Sequence, residues 1–260
     1  MKNGPRFVLC IISFSMLVLL LLPDAGFAQM KKNSDPDYIF YKGNTLYEAG
    51  KYDEAIREYS KLIEQSFESG NIYYNIGNCY FKKGDIGRTI LNYERAKKLI
   101  PGDSDLVSNY SFTRSFIKAD VSKASTPWFK SIFNSFNFLT INGLTVFLSV
   151  IFTFTVFFLL SGLFITPLKR YRRFVLPVLL IIFMAGAFSL YSRVSMLGKE
   201  AVIISESVDA KFEPLDNATT YFSMYAGMKV YILESKEDWS KVERFDGKVG
   251  WIMSSNMDRI

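Results

Sequence analysis

Residues 43–65 read GNTLYEAGKYDEAIREYSKLIEQ, and the same pattern returns 34 positions later. Gly43 recurs as Gly77, Asn44 as Asn78, Gly50 as Gly84, Ile56 as Ile90 and Tyr59 as Tyr93. A period of this length belongs to a helix-turn-helix unit that cannot bury its apolar side alone and stacks on its neighbours. Gly43 and Gly77 permit two antiparallel helices to approach closely, Gly50 and Gly84 end the first helix of each pair, and Ala55 lets the second helix pack tightly. The second copy departs at Thr89 but keeps Ala96 and closes at Pro101. The spacing therefore predicts helical pairs over about 37–68 and 71–101, within a region spanning 29–120. Two pairs leave their end faces uncovered. Leu106, Val107, Tyr110, Phe112 and Phe116 are accordingly expected on a capping helix over 104–117.

Outside the repeats the chain is organised by apolar runs. Lys2 and Arg6 precede an uncharged stretch from Phe7 to Leu22, followed by Pro23 and the small residues Gly26 and Ala28. This reads as an export signal over 1–28, the alternative being an uncleaved anchor helix. No charged residue lies between Lys130 and Lys169, and 141–165 is long enough to cross a hydrocarbon core of about 30 Å. A second uncharged stretch, 174–192, lies between Arg173 and Arg193, with Pro177 near its start. The connection 166–173 carries Lys169, Arg170, Arg172 and Arg173, which marks it as a cytoplasmic loop and places both flanking domains outside. Ahead of the first span, 126–137 carries Trp128, Phe129, Ile132, Phe133 and Phe136 at helical spacing. Two readings stand for it: an interfacial helix or an N-terminal extension of the span.

Composition narrows the function classes. The 260 residues are 16% aromatic and carry a net charge of +6, with a positive mean hydropathy, so some apolar surface is expected to face lipid. Residues 29–120 hold 14 basic against 13 acidic groups, and 199–260 hold 8 against 11. The basic excess thus flanks apolar runs and gives no reason to expect nucleic acid as a partner. Histidine is absent, which removes the commonest general base and metal ligand. Neither a catalytic constellation, a metal site nor a cofactor-binding loop can be assembled, and an enzyme is not expected. Cys10 lies in the export signal, and Cys79 is expected as a small packed thiol, a redox or intermolecular role being the alternative.

After Arg193 the pattern changes to alternation in AVIIS, MKVYILES, WSKVERF and KVGWIMS. Pro214 to Asn217 and Asp246-Gly247 supply turns between these strands. Tyr221, Phe222, Trp239 and Trp251 are either core aromatics of this small β domain or an aromatic binding face.

The 43–65 stretch resembles a tetratricopeptide repeat. That resemblance implies a concave groove lined by the first helices, which on this sequence means Phe40, Asn44, Tyr47 and Glu48, then Tyr74, Asn75, Asn78, Phe81 and Lys82, with Asn109 behind. Asn44 and Asn78 are either partner-gripping amides or residues of the fold. Phe40 and Tyr74 stand where lysines would clamp a partner's terminal carboxylate. Gly227, Trp239 and the pair Gly250-Trp251 resemble the bacterial SH3 fold over 199–260, although DAKFEPLDNAT departs from it. The resulting architecture is a multi-domain membrane protein with all-α repeats, two transmembrane helices and a small all-β SH3-like barrel. With GNTLYEAGKYDEAI and DGKVGWI as landmarks, the order of modules resembles the E-type proteins of the aerotolerance operon, the Bat family. The export signal and the basic connection point to a bacterial inner-membrane scaffold with its domains on the periplasmic side, and membership implies a link to oxidative stress or envelope integrity. It also implies membrane proteins with von Willebrand A domains as partners and, indirectly, a MoxR-type ATPase. The alternative is a peptidoglycan-binding envelope sensor.

Overall fold

The computed structural model describes residues 35–118, 136, 138–164 and 166–260. The expected export signal and nearly all of the expected 126–137 helix lie outside the described residues.

Five helices open the described chain: α1 (Pro36–Glu48), α2 (Tyr52–Glu64), α3 (Gly70–Lys82), α4 (Ile86–Leu99) and α5 (Ser104–Arg114). Their boundaries follow local chemistry. The side chains of Ser69, Asp85 and Asp103 accept hydrogen bonds from the backbone amides of Ile72, Arg88 and Leu106 at the starts of α3, α4 and α5, supplying partners that a helix N-terminus lacks. The helices α1 and α3 end at Gly50 and Gly84, whose φ values of 75° and 78° are left-handed. The amides of Lys51 and Asp85 then reach back to the carbonyls of Leu46 and Tyr80, a closure that glycine allows at little steric cost.

The Gly-Asn pair and the tyrosine of each repeat work together. A Cβ on Gly43 would lie 2.5 Å from the Tyr59 ring, and one on Gly77 equally close to the Tyr93 ring. Each glycine thus opens a slot for a tyrosine of the following helix, and the tyrosine is almost wholly buried. Its hydroxyl then donates to the neighbouring asparagine, Tyr59 to Asn44 and Tyr93 to Asn78, both at 2.6 Å. Thr89, the departure from the repeat pattern, is fully buried and satisfies its hydroxyl on the Asp85 carbonyl at 2.6 Å. Capping by α5 is partial. Leu106 is buried against Tyr73, Tyr93 and Ala96, whereas Val107, Phe112 and Phe116 are 47%, 58% and 51% exposed.

Two long helices follow, α6 (Ile141–Phe164) and α7 (Thr166–Met196). Both are long and apolar enough to cross a membrane; the 24 residues of α6 extend about 36 Å. They pack at Gly186, where a Cβ would fall 2.7 Å from Leu148; Leu144, Leu148 and Ser189 are buried there. Residues 166–173, expected as a loop, are instead the first two turns of α7. Thr166-Pro167 suits a helix start, because proline in the first turn removes no hydrogen bond, and Lys169, Arg170, Arg172 and Arg173 are good helix formers.

The chain ends in a seven-stranded antiparallel sheet: β1 (Glu200–Ile203), β2 (Ser207–Lys211), β3 (Thr220–Tyr225), β4 (Lys229–Lys236), β5 (Trp239–Arg244), β6 (Val249–Met253) and β7 (Met257–Arg259). The strand order is β3-β2-β6-β5-β4-β1-β7. Asp246-Gly247 turns β5 into β6, with Gly247 at φ 83°. The Asp246 carboxylate receives two hydrogen bonds from Arg244, at 2.9 and 2.6 Å, which hold its carboxyl down at about 2.

The sheet and the repeats share one core. Ala201, Val202 and Ile203 of β1 are completely buried, in a cluster with Ile90 and Leu91 of α4, Ile117, and Val230, Val242 and Ile252 of the sheet. Alternation accounts for one side of β1, while α4 covers the other. The approach is close enough that a Cβ on Gly87 would meet the Ile204 Cα at 2.8 Å and the Ile203 carbonyl oxygen at 2.9 Å.

Candidate binding surfaces

The first helices of the repeats, α1 and α3, run side by side with α5, and short polar contacts link them. Asn75 donates to Asn44 at 3.1 Å, and Asn109 donates to the Tyr74 hydroxyl at 2.6 Å. Asn44, Tyr47, Glu48, Asn75 and Asn78 line a cleft of about 140 Å³ floored by Tyr59. Farther along, Phe81 packs against Phe112 and Phe116 with ring centroids 5.9 and 6.1 Å apart, making a partly exposed aromatic cluster. Lys82 is exposed at the end of α3.

Both asparagines face the cleft with a divided duty. The Asn44 Oδ1 already accepts two hydrogen bonds, and the Asn78 Oδ1 accepts one, so the carbonyl ends hold the fold together. Each amide also has an NH₂ group, and that is what it can direct at an extended backbone. Burial raises the Tyr59 and Tyr93 hydroxyls far above their ordinary range, so they are neutral donors. Burial likewise pushes the Cys79 thiol up to about 12; it is fully buried and protonated at neutral pH, a packed thiol without nucleophilic character.

The sheet residues are placed elsewhere. Trp239 and Lys241 share one face of β5, and cross-strand pairing puts Trp251 opposite Lys241 on that face. Trp251 is nevertheless buried, with the Lys241 ammonium 5.8 Å from its ring. The Lys211 ammonium lies 5.6 Å from the half-buried Trp239. Tyr221 is 45% exposed and stacks on Phe212 at 4.6 Å. Phe222 is buried beneath Arg244. None of these aromatics lines the repeat cleft.

Sequence reasoning missed the seam between α4 and the sheet. Lys229 sits between Glu94 at 3.3 Å and Glu200 at 2.8 Å, and Tyr110 donates to Glu94. Burial opposes the charge of Lys229, but the two carboxylates more than offset it and raise its pKa. Burial would also raise Glu94, yet Lys229 and Lys97 bring it below its ordinary value. Arg95 and Lys98 add hydrogen bonds to the carbonyls of Arg259 and Ile260, at 2.6 and 3.0 Å. A signal for this seam exists at the repeat offset: Gly87, Leu91 and Glu94 stand where the first copy has Asp53, Arg57 and Ser60.

Comparison with known families agrees with this geometry. A family model described as TPR repeat matches residues 43–84, and one described as tetratricopeptide repeat matches residues 70–103. Residues 43–103 are tetratricopeptide repeats. No curated protein matches the chain. The repeats point to protein partners, because a tetratricopeptide array is an interaction module whose stacked helices present an extended surface.

Proposed function

We propose that this protein is a non-enzymatic, membrane-anchored scaffold whose repeats dock a segment of another protein on the face formed by α1, α3 and α5. One observation carries the reading. Among the described residues, the sheet covers the α4 side of the repeats and leaves uncovered a side lined by Asn44, Tyr47, Asn75 and Asn78 that runs toward the exposed ring of Phe112. The membrane reading draws support from the long apolar surfaces of α6 and α7, of which little is covered by the other described residues. The export signal and the basic residues at 169–173 favour a bacterial inner-membrane location with both domains outside. The order of modules, with an SH3-like reading of the sheet, favours an envelope complex of the Bat kind, including von Willebrand A domain proteins and, indirectly, a MoxR-type ATPase.

The test is affinity purification of the detergent-solubilised full chain after cross-linking, beside the variant Phe81→Ala/Phe112→Ala. Loss of a recovered protein, with unchanged thermal unfolding, supports the groove. Unchanged recovery removes it. The exposed Phe212 and Tyr221 pair favours a second reading, in which the sheet domain binds peptidoglycan through aromatic stacking on sugar rings. Sedimentation of the full chain with purified peptidoglycan, abolished by Tyr221→Ala, would favour that reading over the scaffold.

A further inference from the structure

A cavity of about 510 Å³ lies where the open end of the α6–α7 hairpin meets the repeats and the sheet. Its apolar wall is Leu139 and Ile141 at the start of α6 with Met196 and Leu197 at the end of α7. Its polar wall carries Lys97, Lys98, Arg193 and Lys229, together with Glu94 and Glu200. A second cavity of about 230 Å³ shares Glu94, Lys97, Lys229 and Phe245 with it and adds Arg114 and Arg244. Six cationic side chains thus line the two adjoining cavities against two carboxylates, one of the six, Arg244, being neutralised by Asp246.

Several of these cations have structural duties. Lys229 and Lys98 engage Glu200, Arg244 engages Asp246, and Arg193 donates to the carbonyls of Leu139 and Phe136 at 2.6 and 2.7 Å. Lys97 differs: it is exposed and acts on Glu94 through space, with no ion pair within 4 Å among the described residues, its ammonium standing 4.8 Å from the Tyr110 ring.

We infer that this junction binds the phosphate of an anionic phospholipid from the leaflet in which the open end of the hairpin is seated. The inference rests on the membrane reading proposed above. Depth is the first argument. The cavity begins at the first residue of α6 and the last residues of α7, where apolar segments end and a glycerophosphate group would lie. The second is amphipathy, since the four apolar side chains match the upper acyl chain and the lysines match the phosphate. The third is the charge excess, which a phosphodiester satisfies through charge-assisted hydrogen bonds. Free phosphate would match the lysines alone and leave the apolar wall without a partner.

The test places the full chain in nanodiscs of equimolar phosphatidylcholine and phosphatidylglycerol and identifies, by native mass spectrometry, the lipid retained on release. The parent chain is expected to keep phosphatidylglycerol over phosphatidylcholine by about fivefold, the factor that one added surface cation supplies. Lys97→Gln is expected to bring the ratio to parity, and Lys97→Glu to bring it to parity or below. Arg172→Gln/Arg173→Gln, near the other end of α7, is expected to leave the preference intact. Excess soluble glycerol phosphate is expected to leave the lipid bound. An unchanged preference in both Lys97 variants overturns the inference, as does its loss only in the Arg172/Arg173 variant or displacement by glycerol phosphate. A chain that stays outside the nanodiscs overturns the membrane reading and the inference with it.

Discussion

The second helices of the two repeats, α2 and α4, occupy equivalent places in one repeating pattern, yet they live in different surroundings. Only Ala55, Glu58, Tyr59 and Leu62 are buried on α2, whereas α4 buries a run from Thr89 to Glu94 together with Gly87 and Ala96. The residues that face the preceding helix are conserved in type between copies, as with Tyr59 and Tyr93. Those that face away have diverged from Asp53, Arg57 and Ser60 to Gly87, Leu91 and Glu94. A repeat therefore carries two layers of information: one holds its own helices together, and the other says what covers it. The sheet domain lies on one copy and makes its second helix a core element of both domains.

The largest break in that asymmetry is expected at the paired isoleucines. Ile90 is 1% exposed within the shared core, and Ile56 is half-buried. Ile90→Ala should cost about 2–5 kcal/mol, because it leaves a cavity between α4 and the sheet, and Ile56→Ala should fall at or below the lower end of that range. Denaturant unfolding of the detergent-solubilised full chain measures both. Equal costs would mean that the two helices are not energetically different.

Gly87→Val comes next. Its Cβ would meet backbone of the segment following β1, which cannot move aside as a side chain can. A cost of about 1–3 kcal/mol is expected. Asp53→Val, at the equivalent exposed place, should change stability by about 1 kcal/mol or less, since it loses only a surface ion pair with Lys83. A cost at Asp53 matching that at Gly87 would remove the close approach as the cause.

The ionic seam adds a pH dependence that the first repeat lacks at this place, because Ser60 cannot titrate. Lys229 and Lys97 hold the folded Glu94 carboxyl below its ordinary value of 4.5. The unfolded chain therefore takes up that proton first as pH falls, so the contribution is complete above about pH 4.5 and is lost as acid titrates the folded group. Glu94→Gln should lower stability at pH 7 by about 1–3 kcal/mol and flatten the acid limb of a plot of Tm against pH. An acid limb identical to that of the parent would show that Glu94 is not a source of it.

The smallest effects are expected at the two asparagines of the cleft. Asn44→Ala and Asn78→Ala each remove the acceptor of a buried tyrosine hydroxyl, at about 1 kcal/mol, and Asn44→Ala costs slightly more because its Oδ1 also accepts from Asn75. A larger cost at Asn78 than at Asn44, read from the same unfolding curves, would indicate that the sheet reaches into the α1–α3 side as well. If the two variants lower stability while partner recovery is unchanged, the asparagines serve the fold and the docking surface moves toward Phe81, Phe112 and Phe116.

Much of the architecture was readable from residue order, because its causes are local or periodic. A 34-residue recurrence sets the helical pairs, glycine at a left-handed position ends a helix wherever it occurs, and two long apolar runs form two long helices. Asp246-Gly247 turns a hairpin for the same local reason. The groove side chains could be placed on their helices, but not the division of duty in Asn44, whose carbonyl end is taken by Tyr59 and Asn75, 15 and 31 residues away. Nor could sequence order bring Gly87 against Ile204, or Glu94 against Lys229, 135 residues later. Periodicity reports which side of an element is apolar and says nothing of which distant element covers it. In this chain that pairing followed from the packing of α4 against a strand formed more than 100 residues downstream, where steric fit at a glycine and charge neutralisation in a desolvated seam select one partner among many apolar surfaces.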